Sequence, residues 1–249
     1  SPEKRYEKFE EAVRRIFAST MSEDALAYRL QRGLDQMDEQ MALLVQRVSG
    51  AYHQSFFYPE LAGVGLSYNP FVWKKGMDPH AGMIRLVFGL GTRAVNRVEN
   101  DYPRIVAADD PLVRPLAGMH DIRKFSQHYI DLLNLEQNDI QSLSVQELLE
   151  KQRPEKFDLL GTRDEEAARE MRRMGRPQKD IWILTFDSFL TRTSFIDWMK
   201  RMLGRLEKAY EYPVDVEFTV NFNQSDQLQI NLLQCRPLQT IGARSRVFL

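Results

Sequence analysis

Apolar positions along the chain change their period several times, and each change predicts a new element. Over residues 5–19, Phe9, Val13, Ile16 and Phe17 recur at helical spacing and predict an amphipathic helix. Ser22, followed by Glu23 and Asp24, predicts the start of a second helix running to about Gln40. The period then shortens. MALLVQRV (41–48), AGVGLSYNP (62–70) and MIRLVFGLG (83–91) are short apolar runs that predict strands. The second closes at Asn69-Pro70 and the third runs into glycines. From Asp101 to about Gln152 the pattern predicts short strands and turns. Residues 163–176 predict a charged, exposed helix that carries Arg169, Arg172, Arg173 and Arg176, and 180–186 predict a buried strand. Residues 194–210 predict a helix with Phe195, Trp198, Met199, Met202, Leu203 and Leu206 on its apolar side. The sum is an α+β chain with a mixed or antiparallel sheet and flanking helices.

The strongest alternation lies at the end of the chain. Residues 214–222 (VDVEFTVNF) alternate strictly and 229–236 (QINLLQCR) more loosely, around the turn cluster NQSDQ. Antiparallel pairing about Ser225-Asp226 puts Asp215 opposite Arg236 and Glu217 opposite Gln234. Side chains two apart share a face of a strand, so these four converge. Val214, Val216, Phe218, Val220 and Phe222 take the other face, with Leu233 and Cys235. Ser-Asp does not dictate this register as Asn-Gly would. A four-residue loop keeps it, and a bulge breaks it. Two carboxylates, an amide carbonyl and a guanidinium suit Mg²⁺ bound to a polyphosphate, because Mg²⁺ takes a few hard oxygens and arginine offers phosphate a planar fork. Taken alone, the same residues also describe an ordinary cross-strand ion pair.

Composition narrows the classes. The 34 basic and 35 acidic residues nearly cancel, so no global field draws nucleic acid or an anionic membrane. No apolar run approaches the roughly 18 residues of a membrane span. Cys235 is the single cysteine, which excludes an internal disulfide and makes a reducing cytoplasm the expected compartment. The start at Ser1-Pro2 leads to the expectation of an excised piece of something longer, or of a trimmed tag.

YPVDVEF…NLLQCRPLQ resembles the end of the ATP-binding domain in the phosphoenolpyruvate synthase and pyruvate phosphate dikinase family, which has an ATP-grasp fold. FASTMSEDALAYR (17–29), LLVQRV (43–48), AGVGLSYNP (62–70) and FGLGTRAVNR (88–97) are similar to further family stretches in the same order. The resemblance implies a helical lead-in over 1–40, the C-terminal part of the ATP-grasp domain over 41–240 and a tail over 241–249. It implies that backbone groups around Gln46 and Val48 hold adenine. Gly63 and Ser67 then lie on the phosphate loop, Glu217 and Gln234 hold Mg²⁺, and Arg236 binds the phosphates of ATP as the catalytic cation. Asp215 orients Arg236 or reaches the nucleotide. It further implies phosphorylation of a histidine on a separate domain, and then of pyruvate or another acceptor.

Two departures stand out. Thr92 replaces the family's glutamate after G-L-G, and the lysine and A-V-R-S-S stretch of the family's N-terminal half have no counterpart. The T-S-H histidine motif is also missing from this sequence, so the chain is expected to be half of a cradle, inactive in isolation. Its partners would be the remaining N-terminal half and the phosphohistidine domain. Thr92 also leaves open a nucleotide-binding regulatory module that has lost catalysis. A different class competes through residues 83–110, where a strand, Gly89-x-Gly91-x-x-Ala94 and the pair Asp109-Asp110 mimic a dinucleotide fingerprint. Its crossover is barely of minimum length, and no further βαβ unit follows.

Overall fold

The computed structural model describes residues 2–238 except Val72, Arg97, Ala117 and 176–179. It divides into two compact units, one ending at Val48 and one beginning at Ser49. The first contains α1 (Pro2–Ser19) and α2 (Glu23–Gln31), the latter capped by the Ser22 hydroxyl, which accepts from Ala25 N at 3.3 Å. Helix α2 stops well before Gln40. Gly33 takes a left-handed conformation (φ +66°), and the Arg29 guanidinium holds the returning chain through Met37 O (2.6 Å) and Glu39 (2.5 Å). The strand expected over 41–48 is not formed. Leu44 and Val45 are 79% and 74% exposed, and β-propensity without a ladder partner does not fix a strand.

The second unit runs β1 (Ala51–His53), β2 (Phe56–Tyr58), β3 (Leu61–Leu66), β4 (Met83–Val87), α3 (Thr92–Val95), β5 (Arg104–Ala107), α4 (Met119–Lys124), β6 (Tyr129–Asn134), β7 (Asp139–Ser144), α5 (Val145–Lys151), α6 (Phe157–Leu160), β8 (Gly161–Arg163), α7 (Glu165–Arg173), β9 (Trp182–Leu184), α8 (Asp187–Arg192), α9 (Phe195–Tyr210), β10 (Val214–Phe222) and β11 (Leu228–Pro237). One sheet has the order β11-β10-β3-β4-β5, a second β1-β2-β6-β7, and β8 pairs with β9. Every strand pair among the described residues is antiparallel. The expected strand over 180–186 contracts to three residues because Phe186 turns left-handed (φ +59°) to open α8. Helix α7 buries no residue, as its charge pattern predicts, and Arg176 lies outside the described residues. No described helix is long and apolar enough to cross a membrane.

Helix α9 covers one face of the five-stranded sheet. Phe195, Met199 and Leu203 pack with Val214, Val216, Phe218 and Val220, with the Phe195 and Phe218 rings 5.8 Å apart. The approach is close because Gly65 has no side chain. A Cβ there would sit 3.0 Å from Met199 Cε and 3.1 Å from Val216 Cγ2. The opposite face carries a smaller cluster of Ala62, Val64, Leu66, Met83 and Val87 under Ala94 and Leu238.

Between β2 and β3 the chain buries Glu60, only 8% exposed, with its Oε2 facing no partner among the described residues. Burial pushes its carboxyl up to about 7, against the pull of Lys156 and with the help of Glu155. The folded chain therefore holds this proton more tightly than the unfolded chain. Stability is full below the ordinary value of 4.5 and falls as pH rises toward 7, by on the order of 2–4 kcal/mol. Urea melts of Glu60→Gln against the parent should show the variant losing less stability between pH 5 and 8. Parallel pH profiles would contradict this account of Glu60.

Candidate functional site

The β10–β11 hairpin pairs Asp215 with Arg236 and Glu217 with Gln234, as the alternation predicts, but for a different reason. The turn spans five residues, 223–227, closed by Asn223 N donating to Gln227 O (3.0 Å), and Phe222 faces Leu228. That centre is half a residue away from the one expected. A bulge between Glu217 and Phe218, with Leu233 as the inserted residue, then shifts the register into the expected pairing. The bulge makes the site instead of breaking it.

Strand β10 also pairs with β3, so three rows of side chains cross the sheet on the face away from α9. The first row is Arg236, Asp215, Leu66 and Met83. The second is Gln234, Glu217, Val64 and Arg85, and the third is Asn231, Thr219, Ala62 and Val87. In the first row both Arg236 Nε (3.1 Å) and Nη2 (3.0 Å) donate to Asp215 Oδ2. Arg236 is 48% exposed and Asp215 14%, so the fork is anchored but open. The second oxygen, Asp215 Oδ1, is buried and meets no partner among the described residues. In the third row Ser49 Oγ gathers Thr219 Oγ1 (2.7 Å), Asn221 Nδ2 (3.0 Å) and Asn231 Nδ2 (3.0 Å). The alternation that exposed Asp215 and Glu217 also marks Thr219 and Asn221, which continue their face.

The remaining expected residues divide. Ser67 joins the hairpin: its hydroxyl accepts from Val214 N (2.9 Å) and its N–H donates to Val214 O (3.0 Å), next to Asp215. Gly63 lies on the α9 face, where a Cβ would clash with the Arg85 carbonyl and sit 2.8 Å from Phe218 Cζ. Its lack of a side chain serves strand packing, a correction to the expectation that it clears space for phosphates. Gln46 and Val48 belong to the first unit, outside any helix or strand, and both are exposed.

Thr92, where the family places glutamate, donates its hydroxyl to Asp131 Oδ2 (2.6 Å), and Arg93 reaches Asp131 (2.9 Å), Ser142 (2.5 Å) and Asp101. Burial pushes the Asp131 carboxyl up, but the Thr92 and Ser142 hydroxyls and the Arg93 guanidinium outweigh it and hold it below the usual range. This network ties the glycine turn to the second sheet, and sequence reading missed it because Asp131 lies 39 residues from Thr92. The dinucleotide fingerprint is overturned. Strands β4 and β5 pair antiparallel, α3 has four residues, Asp109 accepts from Asp78 N (2.8 Å) and Asp110 pairs with Lys74 (3.0 Å).

The donors fit Mg²⁺: the Glu217 carboxylate makes no hydrogen bond or ion pair with a described residue, Gln234 faces it, and Asp215 has a buried oxygen to spare. A cavity of about 780 Å³ along α7, lined by Arg163, Glu165, Arg169 and Glu170, shares none of these residues and is charge-balanced surface.

An antiparallel sheet backed by helices, with an acidic strand paired to a Gln-x-Arg strand on its open face, defines an ATP-grasp-like α+β domain. The family model described as pyruvate phosphate dikinase, AMP/ATP-binding domain, matches residues 4–247, and the chain belongs to that family. Comparison with curated proteins found no match.

Thr92→Val removes a hydrogen bond to a charged acceptor and should lower stability by about 1.5–3 kcal/mol in urea melts. Thr92→Glu sets a second carboxylate beside Asp131 and should lower it further. A glutamate variant as stable as the parent would show that this loop is not held as described.

Proposed function

We propose that the open face of β10–β11 binds Mg·ATP as half of the nucleotide site of a phosphotransferase related to phosphoenolpyruvate synthase and pyruvate phosphate dikinase. The observation that carries this reading is the direct pairing of Glu217 with Gln234 beside the Asp215–Arg236 fork. Glu217 and Gln234 hold the metal through their oxygens, and Asp215 positions the Arg236 guanidinium toward the phosphates. Arg236 stabilises charge on the transferred phosphoryl group, as fixed donors do in such reactions. When bound, Mg²⁺ neutralises the phosphate oxygens. The nucleotide phosphorylates a histidine nitrogen on a separate domain, leaving AMP together with phosphate or pyrophosphate, and the phosphohistidine then phosphorylates pyruvate or another acceptor. The other half of the cradle supplies further basic groups.

A second reading, a regulatory module without turnover, draws on one observation. Thr92 is tied to Asp131, so no carboxylate is offered at that position.

Calorimetric titration of the chain with Mg·ATP tests the site. Binding in the millimolar range or tighter is expected, weakened about tenfold or more by Glu217→Gln or by Arg236→Ala, equivalent to about 1.4 kcal/mol each. Chelating Mg²⁺ should remove most of it. Affinity unchanged by both substitutions would place the nucleotide elsewhere.

A further inference from the structure

Six described arginines are not exposed: Arg29, Arg85, Arg93, Arg104, Arg114 and Arg123. Five of them hold carboxylates, namely Glu39, Asp131, Asp187 (for both Arg104 and Arg114) and Asp164. Arg85 alone makes no hydrogen bond, ion pair or ring contact through its guanidinium with any described residue. It lies in the middle of β4, paired to Val64 and Ile105, in the same row as Glu217 and Gln234. Its backbone is fixed, since its carbonyl closes on the α9 face against Gly63.

A half-buried charge without a partner is unfavourable, and the arrangement leaves a complement to be supplied. The Glu217 carboxylate, on the far side of Val64, also makes no hydrogen bond or ion pair with a described residue. Strands are spaced about 4.8 Å apart, so Glu217 and Arg85 stand about 10 Å apart on either side of Val64, which is itself buried. A polyphosphate reaching from one side chain to the other meets a guanidinium at one end, while its bound metal meets the carboxylate and amide at the other. A lone carboxylate ligand would satisfy Arg85 but leave Glu217 facing like charge.

We infer that Arg85 is a further phosphate-binding residue, which takes the polyphosphate of the nucleotide from the side opposite Arg236. This rests on the proposed Mg·ATP site. It adds to that site a cation from the sheet's interior, beyond the hairpin.

The test titrates the full chain and Arg85→Met with Mg·ATP, Mg·tripolyphosphate and AMP, beside Arg85→Lys, Glu217→Gln and Arg236→Ala. Arg85→Met should weaken Mg·ATP and Mg·tripolyphosphate by about tenfold or more and change AMP far less. Arg85→Lys keeps the charge without the fork and should fall between, which also covers any failure of the Met variant to fold. Parent-like binding by both Arg85 variants, with Glu217→Gln and Arg236→Ala weakened, overturns the role of Arg85 and leaves the hairpin site standing. Parent-like binding by all four variants, or none by the parent, overturns the hairpin reading and this inference with it.

Discussion

Strand β10 is hydrogen-bonded on both sides, to β11 and to β3, and its alternation separates two chemistries by the thickness of one strand. Val214, Val216, Phe218 and Val220 are at most 1% exposed against α9, and each contributes roughly 1.5–3 kcal/mol by its burial. A slip of one residue would turn all four to the open face. The Asp215–Arg236 pair, with its half-exposed arginine, contributes roughly 0.2–1 kcal/mol. Packing on the α9 side thus fixes where Asp215 and Glu217 stand, and the ion pair only aims a side chain already placed.

The same economy runs through the open face. Its middle is apolar and small, from Ala62, Val64, Leu66 and Val87, and its charged groups sit at fixed row positions around that patch. Elsewhere, Glu60 apart, several buried charges are neutralised within the chain. Arg93 binds both Asp101 and Asp131, and Arg104 donates to the carbonyls of Ile105 and Pro111. The guanidinium of Arg85 and the carboxylate of Glu217 stand without described partners in one row of this face.

The hairpin was readable because period-2 alternation reports a face directly, and the site face is a local property of two strands. Its register was right through two offsetting shifts, a turn centred on Ser225 and a bulge at Leu233, neither of which residue types announce. Helices α1 and α9 were likewise visible in their apolar spacing. The run 41–48 misled because it has strand composition and no described strand beside it. Thr92–Asp131 and Ser49–Thr219 were invisible for the opposite reason, since they join positions distant in sequence that only the folded sheets bring together. Arg85 lies inside the apolar run 83–91, where a single charge does not by itself mark a site.

The central claim is that the metal of a bound nucleotide lies against Glu217 and Gln234. Mn²⁺ in place of Mg²⁺ with ATP tests it directly, through paramagnetic broadening of backbone amide resonances in the NMR spectrum. Glu217, Gln234 and Val64 should broaden first, while α7 stays sharp. Broadening centred on Glu165, Glu166 and Glu170 instead, with the hairpin unaffected, would contradict it.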